Sequence, residues 1–193
     1  SNFKMKVIQL HQQEKELIQL AVEKNRQAQH QLYTDFSPKM LSVCRRYIKD
    51  VHHAEDVMIT AFMKVFTNLK KFEHKGSFEG WIRRIMVNEC IDYIRVKKNN
   101  FNHQNIEETV LPNDFSEEQD FSTEDIQLLI DNLPEGCKMV FNLYIIEGYK
   151  HNEIAKMLKI NEGTSKSQLA HARKLLQEQI NKLKNNQNDI ATK

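Results

Sequence analysis

Only five glycines and three prolines interrupt the 193 residues of this chain, and between them apolar residues recur at helical spacing. Glycine and proline are the residues that most readily end a helix. A chain so poor in them, and rich in helix formers, is expected to be all-α. Hydrophobic residues make up 40% of it, enough to fill a core, and no apolar run approaches the ~18 residues that mark a membrane span. The N-terminus is mixed polar and apolar, with Lys4 and Lys6 in it, and does not read as a signal peptide. Cys44, Cys90 and Cys137 are odd in number, far apart and without a CxxC pair. They are expected to be reduced thiols packed as small apolar side chains in a cytoplasmic protein.

The net charge of +2 hides a segregation. Residues 1–98 carry 18 Lys and Arg against 11 Asp and Glu, whereas residues 99–126 carry 8 acidic groups and no Lys or Arg. Residues 150–193 are basic again, 9 against 4. Two basic blocks around an acidic connector suggest two polyanion-facing modules on a tether.

The first module is expected over 14–98. From Glu14 to Lys49 the pattern is helical, with a bend or restart at Ser37-Pro38 because proline disfavours the α conformation of the residue before it. A further helix from about Ala54 to Phe72 packs through Val57, Met58, Ala61, Phe62, Val65, Phe66 and Leu69. Then comes GSFEGWIRRIMVNECIDYIRVKK (76–98), in which Ser77 is placed to cap a helix. Phe78, Ile82, Ile85, Met86, Cys90 and Tyr93 fall on one broad face, with Trp81 at its edge. Arg84, Asn88, Ile91 and Arg95 follow along a separate stripe. Alone, that stripe reads as a solvated face on a core helix; the rest of the chain makes it a surface for a polyanion. Glu89 projects into the apolar face and needs a partner, for which Arg45 or Arg46 is the expectation.

Residues 99–121, aperiodic and carrying Pro112, read as a linker. The second module, over 122–184, opens on an N-cap at Ser122 or Thr123 and a short helix, Ile126 to Leu133. Pro134 starts another, reaching Gly148. A helix from His151 to Leu158, a turn through Asn161 and Gly163, and a longer helix from about Thr164 have the helix-turn-helix layout. Ile154, Ala155 and Leu158 are set to face Leu169, Ala172, Leu176 and Ile180. Opposite that core lie Ser167, His171 and Lys174, flanked by Thr164 and Gln168 on one side and Lys166 and Arg173 on the other. Hydroxyls, an amide and cations on an exposed helix suit base edges and phosphates, although a helical hairpin with a polar outside has the same pattern.

Together these blocks resemble a bacterial RNA polymerase sigma factor of the extracytoplasmic-function type. AEDVMITAFMKVFTNLKKF (54–72) resembles the helix with which such factors grip the clamp of the polymerase β′ subunit. GSFEGWIRRIMVNECIDYIR (76–95) resembles the tryptophan-containing block that recognises the −10 promoter element. NLPEGCKMVFNLYIIEGYKHNEIAKMLKINEGTSKSQLAHARKLL (132–176) resembles the domain that reads the −35 element. The resemblance implies core polymerase contacts at Asp56, Met63 and Lys64, and −10 contacts at Phe72, His74, Lys75, Arg84, Asn88 and Arg95. It implies −35 contacts at Thr164, Lys166, Ser167, Gln168, His171 and Lys174. The implied partners are core RNA polymerase, through its β′ clamp and β flap, promoter DNA, and an anti-sigma factor. No catalytic residue, cofactor or metal is implied. Ile59 and Thr60 depart from the family's usual Gln-Glu. Lys166, Gln168 and His171 stand where many relatives carry arginine, so the two-point arginine contact to guanine is not available there.

Two other readings compete with this one. A helix-turn-helix regulator of duplex operators explains 122–184 but leaves the basic, aromatic block at 76–98 without a role. An enzyme would need a site; His52, His53, Glu55 and Asp56 cluster without HExxH spacing, and GTSKS (163–167) lacks the full phosphate-loop spacing. Limited proteolysis of the free chain should cut first within 99–121 and leave two folded fragments; one resistant core spanning that segment would refute the two-module reading.

Overall fold

The computed structural model describes the backbone over residues 2–101 and 122–190, and among these residues it contains eight α-helices and no strand. They fall into two compact units, one ending at Val96 and the other beginning at Lys97.

In the first unit, α1 (Asn2–Val22) ends just before Lys24, which takes a left-handed conformation (φ 64°). Asn25 then caps α2 (Arg26–Tyr47), its Oδ1 accepting from the Ala28 N–H at 3.0 Å. The break expected at Ser37-Pro38 falls here instead, and Pro38 lies inside α2. A proline in a helix forfeits one hydrogen bond and crowds the preceding turn, at a cost of about 3 kcal/mol. Burial on both sides of it offsets that cost: Leu32 before, and Met40, Val43, Cys44 and Tyr47 after, are almost fully enclosed. Asp50 caps α3 (Val51–Asn68) by accepting from the His53 N–H at 2.9 Å. That hydrogen bond holds the Asp50 carboxyl below its usual range. The cap is therefore complete above the ordinary aspartate pKa and is lost as the pH falls through the lowered value.

A 3-10 turn over Leu69–Lys71 leads into a tight loop with His74 (φ 55°) and Gly76 (φ 86°) in the left-handed region. Ser77 then starts α4 (Phe78–Phe101), its hydroxyl accepting from the Gly80 N–H at 3.0 Å. α4 thus runs three residues into the segment read as a linker; residues 102–121 of that segment lie outside the described residues. Phe78 anchors the helix, its ring centroid 5.4 Å from Phe36, 5.2 Å from Phe72 and 5.9 Å from Trp81. Ile82, Met86 and Cys90 are fully buried, as expected, but so to within a few per cent are Val87, Ile91 and Ile94, while Ile85 and Tyr93 are only half-buried. Ile91 therefore leaves the stripe that sequence assigned it with Arg84, Asn88 and Arg95. On the face expected to be apolar, α4 meets Phe36 of α2 through Phe78 and His53 of α3 through Tyr93, whose rings lie 6.0 Å apart.

Glu89 is resolved by the same packing. Its side chain is 11% exposed and pairs with Lys64 of α3, a cation the sequence did not single out for it. Lys39–Glu79, at 2.7 Å, links α2 to the start of α4 in the same way but nearer the surface.

The second unit opens with a reciprocal capping box on α5 (Thr123–Asp131): Ser122 Oγ accepts from the Asp125 N–H at 3.1 Å, and Asp125 accepts from the Ser122 N–H at 2.9 Å. α6 (Glu135–Phe141) follows Pro134 and runs into a π-helical turn over Asn142–Ile146 that ends at Gly148 (φ 77°). α7 (His151–Leu158) and α8 (Glu162–Ile190) are joined through Lys159 (φ 55°), and Asn161 caps α8 by accepting from the Thr164 N–H at 2.8 Å. Leu133, Cys137, Val140, Leu143, Ile154, Leu169 and Ala172 are buried in this unit.

Removing the cation from a nearly enclosed carboxylate should cost more than removing one from an exposed pair. Lys64→Met should lower stability in urea unfolding by about 1–2 kcal/mol. Lys39→Met should cost at most about half of that, and Glu89→Gln should restore most of the loss in the Lys64→Met background.

Candidate nucleic-acid interfaces

On the first unit an open groove of about 380 Å³ lies between the end of α3 and the middle of α4, lined by Lys64, Lys71, Trp81, Ile85, Asn88 and Asp92 among others. The α4 spacing of three and four sets Trp81, Ile85 and Asn88 along one line. Asn88 is exposed there, its amide able to donate and accept. Arg84 is exposed one turn before it, and Arg95 is hydrogen-bonded to Asp92 at 3.1 Å. Trp81 joins this groove to the loop, its ring 5.5 Å from Phe72. Phe72 is only 8% exposed, packed against Phe78 and Trp81, with the His74 ring 4.7 Å away. Lys75 is exposed and bonded to Glu73 at 2.6 Å. The six residues assigned to −10 contacts thus form two sets, Phe72, His74 and Lys75 on the loop and Arg84, Asn88 and Arg95 on α4, with Trp81 between them.

Of the three residues assigned to core polymerase, Asp56 and Met63 share an exposed face of α3, where Met63 is 67% and Ile59 47% exposed. Lys64 is turned from that face toward α4 by Glu89. His52 and His53 lie beside Glu55 and Asp50 at 3.8 Å and 3.5 Å. Among the described residues no group of three or more His, Cys, Asp and Glu side chains could hold a metal ion.

On the second unit, α7 and α8 pack through Ile154, Leu169 and Ala172, leaving Lys166, Ser167, His171 and Lys174 exposed on α8. Thr164, half-buried, donates from its hydroxyl to Asn161 Oδ1 at 2.8 Å, and Ser167 donates to the Thr164 carbonyl at 3.0 Å. The two lysines lie against carboxylates of their own helix, Lys166–Glu162 at 2.7 Å and Lys174–Glu178 at 3.9 Å. The Lys166 hydrogen bond keeps the Glu162 carboxyl below its usual range. Such exposed pairs are worth at most about 1 kcal/mol, so a phosphate can replace the carboxylate with little loss. Gln168 differs from its neighbours: its Oε1 accepts from the Cys137 thiol at 2.9 Å, and it lies on the α6 side of the helix.

Sequence reasoning missed three supporting residues. Ser165 is fully buried and bonded to His151 Nδ1 at 2.9 Å, and the His151 ring stacks on Tyr144 at 4.5 Å. This pins the start of α7 to α8. The third is Cys137, buried beside Gln168 and His171. The signal for Ser165 was present, since a serine four residues before Leu169 sits on the apolar side of α8; nothing local marked Cys137.

A family model of Sigma-70 region 2 matches residues 32–100, and one of Sigma-70, region 4 matches residues 123–176. The ECF RNA polymerase sigma factor SigW of Bacillus subtilis is 30% identical over 162 residues, covering 77% of this chain and 86% of the relative. The ECF RNA polymerase sigma-E factor of Haemophilus influenzae is 23% identical over 180 residues, covering 86% and 95%. Among solved structures, the sigma factor RpoE of Bartonella quintana, determined in complex with the anti-sigma factor NepR, shares the fold with a TM-score of 0.52 and 18% identity, covering 79% of this chain and 96% of that one. With both matched regions on helical units of the expected order, the chain belongs to the extracytoplasmic-function (ECF) family of RNA polymerase sigma factors.

Proposed function

We propose that the two units divide promoter recognition, residues 14–98 taking core polymerase and the −10 element and residues 122–184 the −35 element. As a sigma factor the chain binds core RNA polymerase and directs promoter-specific initiation. The observation that supports this division is that the matched regions fall largely on separate units, with an exposed amide-and-cation face on α4 in one and an exposed hydroxyl-and-cation face on α8 in the other. A stand-alone operator binder would leave the match at 32–100 without a role.

The part played is positional rather than chemical. Opening DNA costs a few kcal/mol per unstacked step, and stacking a base on an aromatic ring returns about 1–3 kcal/mol. Phe72 and Trp81 would supply that surface, Asn88 a base-edge contact, and Arg84, Arg95 and Lys75 the cations along the strand. Because the His74 ring lies against Phe72, an extruded base would reach Phe72 by displacing it. His74 is held left-handed, at a cost of about 1–2 kcal/mol for a non-glycine residue, which eases that displacement. Asp56 and Met63 would meet the β′ clamp, with Ile59 adding apolar area in place of the usual glutamine. Lys64 would do so only by leaving Glu89. Thr164, Lys166, Ser167, His171 and Lys174 would face the −35 duplex, and the second unit would also meet the β flap. An anti-sigma factor is proposed as a further partner, as one is bound to the Bartonella quintana relative. The site of action is the cytoplasm, where the polymerase works; no helix among the described residues is long and apolar enough to cross a membrane.

Reconstitution with core polymerase tests this. Asn88→Ala should cost about 1–3 kcal/mol of discrimination at one −10 base pair while leaving core binding unchanged, read from holoenzyme binding to a set of promoter variants. If core binding fell equally, Asn88 would be structural.

Met63→Asp should weaken binding to core by about 1–2 kcal/mol without altering the unfolding midpoint. Lys166→Ala should weaken promoter binding and reduce the slope of log K against log salt by about one. An unchanged slope would remove α8 from the DNA.

A further inference from the structure

α6 carries no residue assigned to DNA, yet it touches two that are. Cys137, 1% exposed, lies under α8 in a cluster with Leu133 and Ala172. Its sulfur is 2.9 Å from Gln168 Oε1 and 3.7 Å from His171 Nδ1. The neighbouring Gly136 has no side chain, and a Cβ there would come within 3.4 Å of the Gln168 Cδ, Oε1 and Nε2 atoms. The Gln168 amide therefore lies across the glycine with its oxygen at the thiol.

A thiol has one proton to give. Burial pushes the Cys137 pKa up, so the group remains a thiol at neutral pH. With that proton given to Gln168 Oε1, the sulfur is left only lone pairs to offer the imidazole. It can then accept a hydrogen bond from His171 but not donate one. We infer that Cys137 is a positioning residue for promoter reading: together with Gln168 it sets the His171 ring in the tautomer that carries its proton on Nδ1. The outward nitrogen, Nε2, is then a hydrogen-bond acceptor. In the major groove the matching donors are the exocyclic amines of cytosine and adenine, whereas guanine offers only acceptors there. His171 should thus prefer a base pair that presents an amine. This inference rests on the reading of α8 as the −35 helix.

The test has two arms on the full-length chain. In the first, long-range 15N–1H correlation of the free protein reports the His171 tautomer without DNA. The proton should be on Nδ1 in the native chain and in Cys137→Ser, whose hydroxyl also donates once and accepts. In Gln168→Leu the thiol proton is released toward Nδ1, and the tautomer should move to Nε2–H. A native Nε2–H form, or no change in Gln168→Leu, would overturn the inference. In the second arm, holoenzyme binding is measured on promoters carrying each base pair at every −35 position. Cys137→Ala should shrink the preference for the amine-bearing base by about 3- to 10-fold, the value of one hydrogen bond, with Cys137→Ser retaining it. Gln168→Leu should shift the preference toward guanine. A role in packing alone would lower affinity for every sequence equally and leave the preference intact, which would also overturn the inference. If the tautomer behaves as stated but His171→Ala leaves all preferences unchanged, the placement of α8 on the −35 element has failed instead, and the positioning role with it.

Discussion

Phe78 is where the first unit is held together. Its ring meets Phe36 of α2, Phe72 at the exit from α3 and Trp81 one turn along α4. Phe36 comes from a helix far back in the sequence, while Phe72 and Trp81 flank Phe78 closely along the chain, and all three meet one buried ring. The pairs with Phe36 and Phe72 are edge-to-face and the pair with Trp81 is stacked, and aromatic pairs add about 0.5–1.5 kcal/mol each beyond the area they bury. The geometry matters as much as the energy. Ser77 caps the helix immediately before Phe78, so the first turn of α4 is fixed both by its end and by its anchor. The lines of Trp81, Ile85 and Asn88, and of Arg84 and Arg95, then follow from helical spacing alone. The same cluster bounds the loop, so the surface proposed for single-stranded bases and the core of the unit share their aromatic rings.

Charge is arranged on a similar economy. Much of the cationic surface is already satisfied within the chain: Lys64 by Glu89, Lys75 by Glu73, Arg95 by Asp92, Lys166 by Glu162. Each of these but the first is an exposed pair, cheap to exchange for a phosphate and screened by salt. Lys64 and Glu89 are different because the carboxylate is nearly enclosed, so that pair belongs to the packing of α3 on α4. The number of Lys and Arg in the sequence thus overstates how many cations the folded surface presents without a carboxylate beside them.

Helix content and order were legible because they rest on local rules. The apolar periods of α2, α3, α4 and α8, the caps at Ser77 and Ser122, and the existence of a turn after α7 all follow from residues within a few positions of one another, although that turn is shorter than expected and Gly163 lies inside α8. Tertiary choices were not legible. Nothing beside Glu89 indicated that Lys64, twenty-five positions earlier, would neutralise it. Ile91 is buried although a single helical wheel set it beside Arg84, Asn88 and Arg95. Pro38 carries a strong local rule against helix interiors, and burial of the residues on both sides overrode it. At the candidate interfaces the exposed residues were read from the wheel, while Cys137 and Ser165 were missed because their part is to hold those residues from behind.

The capping box on α5 has a consequence for how a chain like this can change. The amide and hydroxyl of Ser122 are both engaged with Asp125, and its carbonyl accepts from the Ile126 N–H at 3.1 Å. Every polar group of that residue is closed inside the first turn, so the cap of α5 is complete within its own five residues, Ser122 to Ile126. A change of sequence before Ser122 that spares Asp125 and Ile126 then leaves this cap intact. The first turn of α5 can therefore persist through substitutions that would unravel a helix whose cap was borrowed from a distant residue.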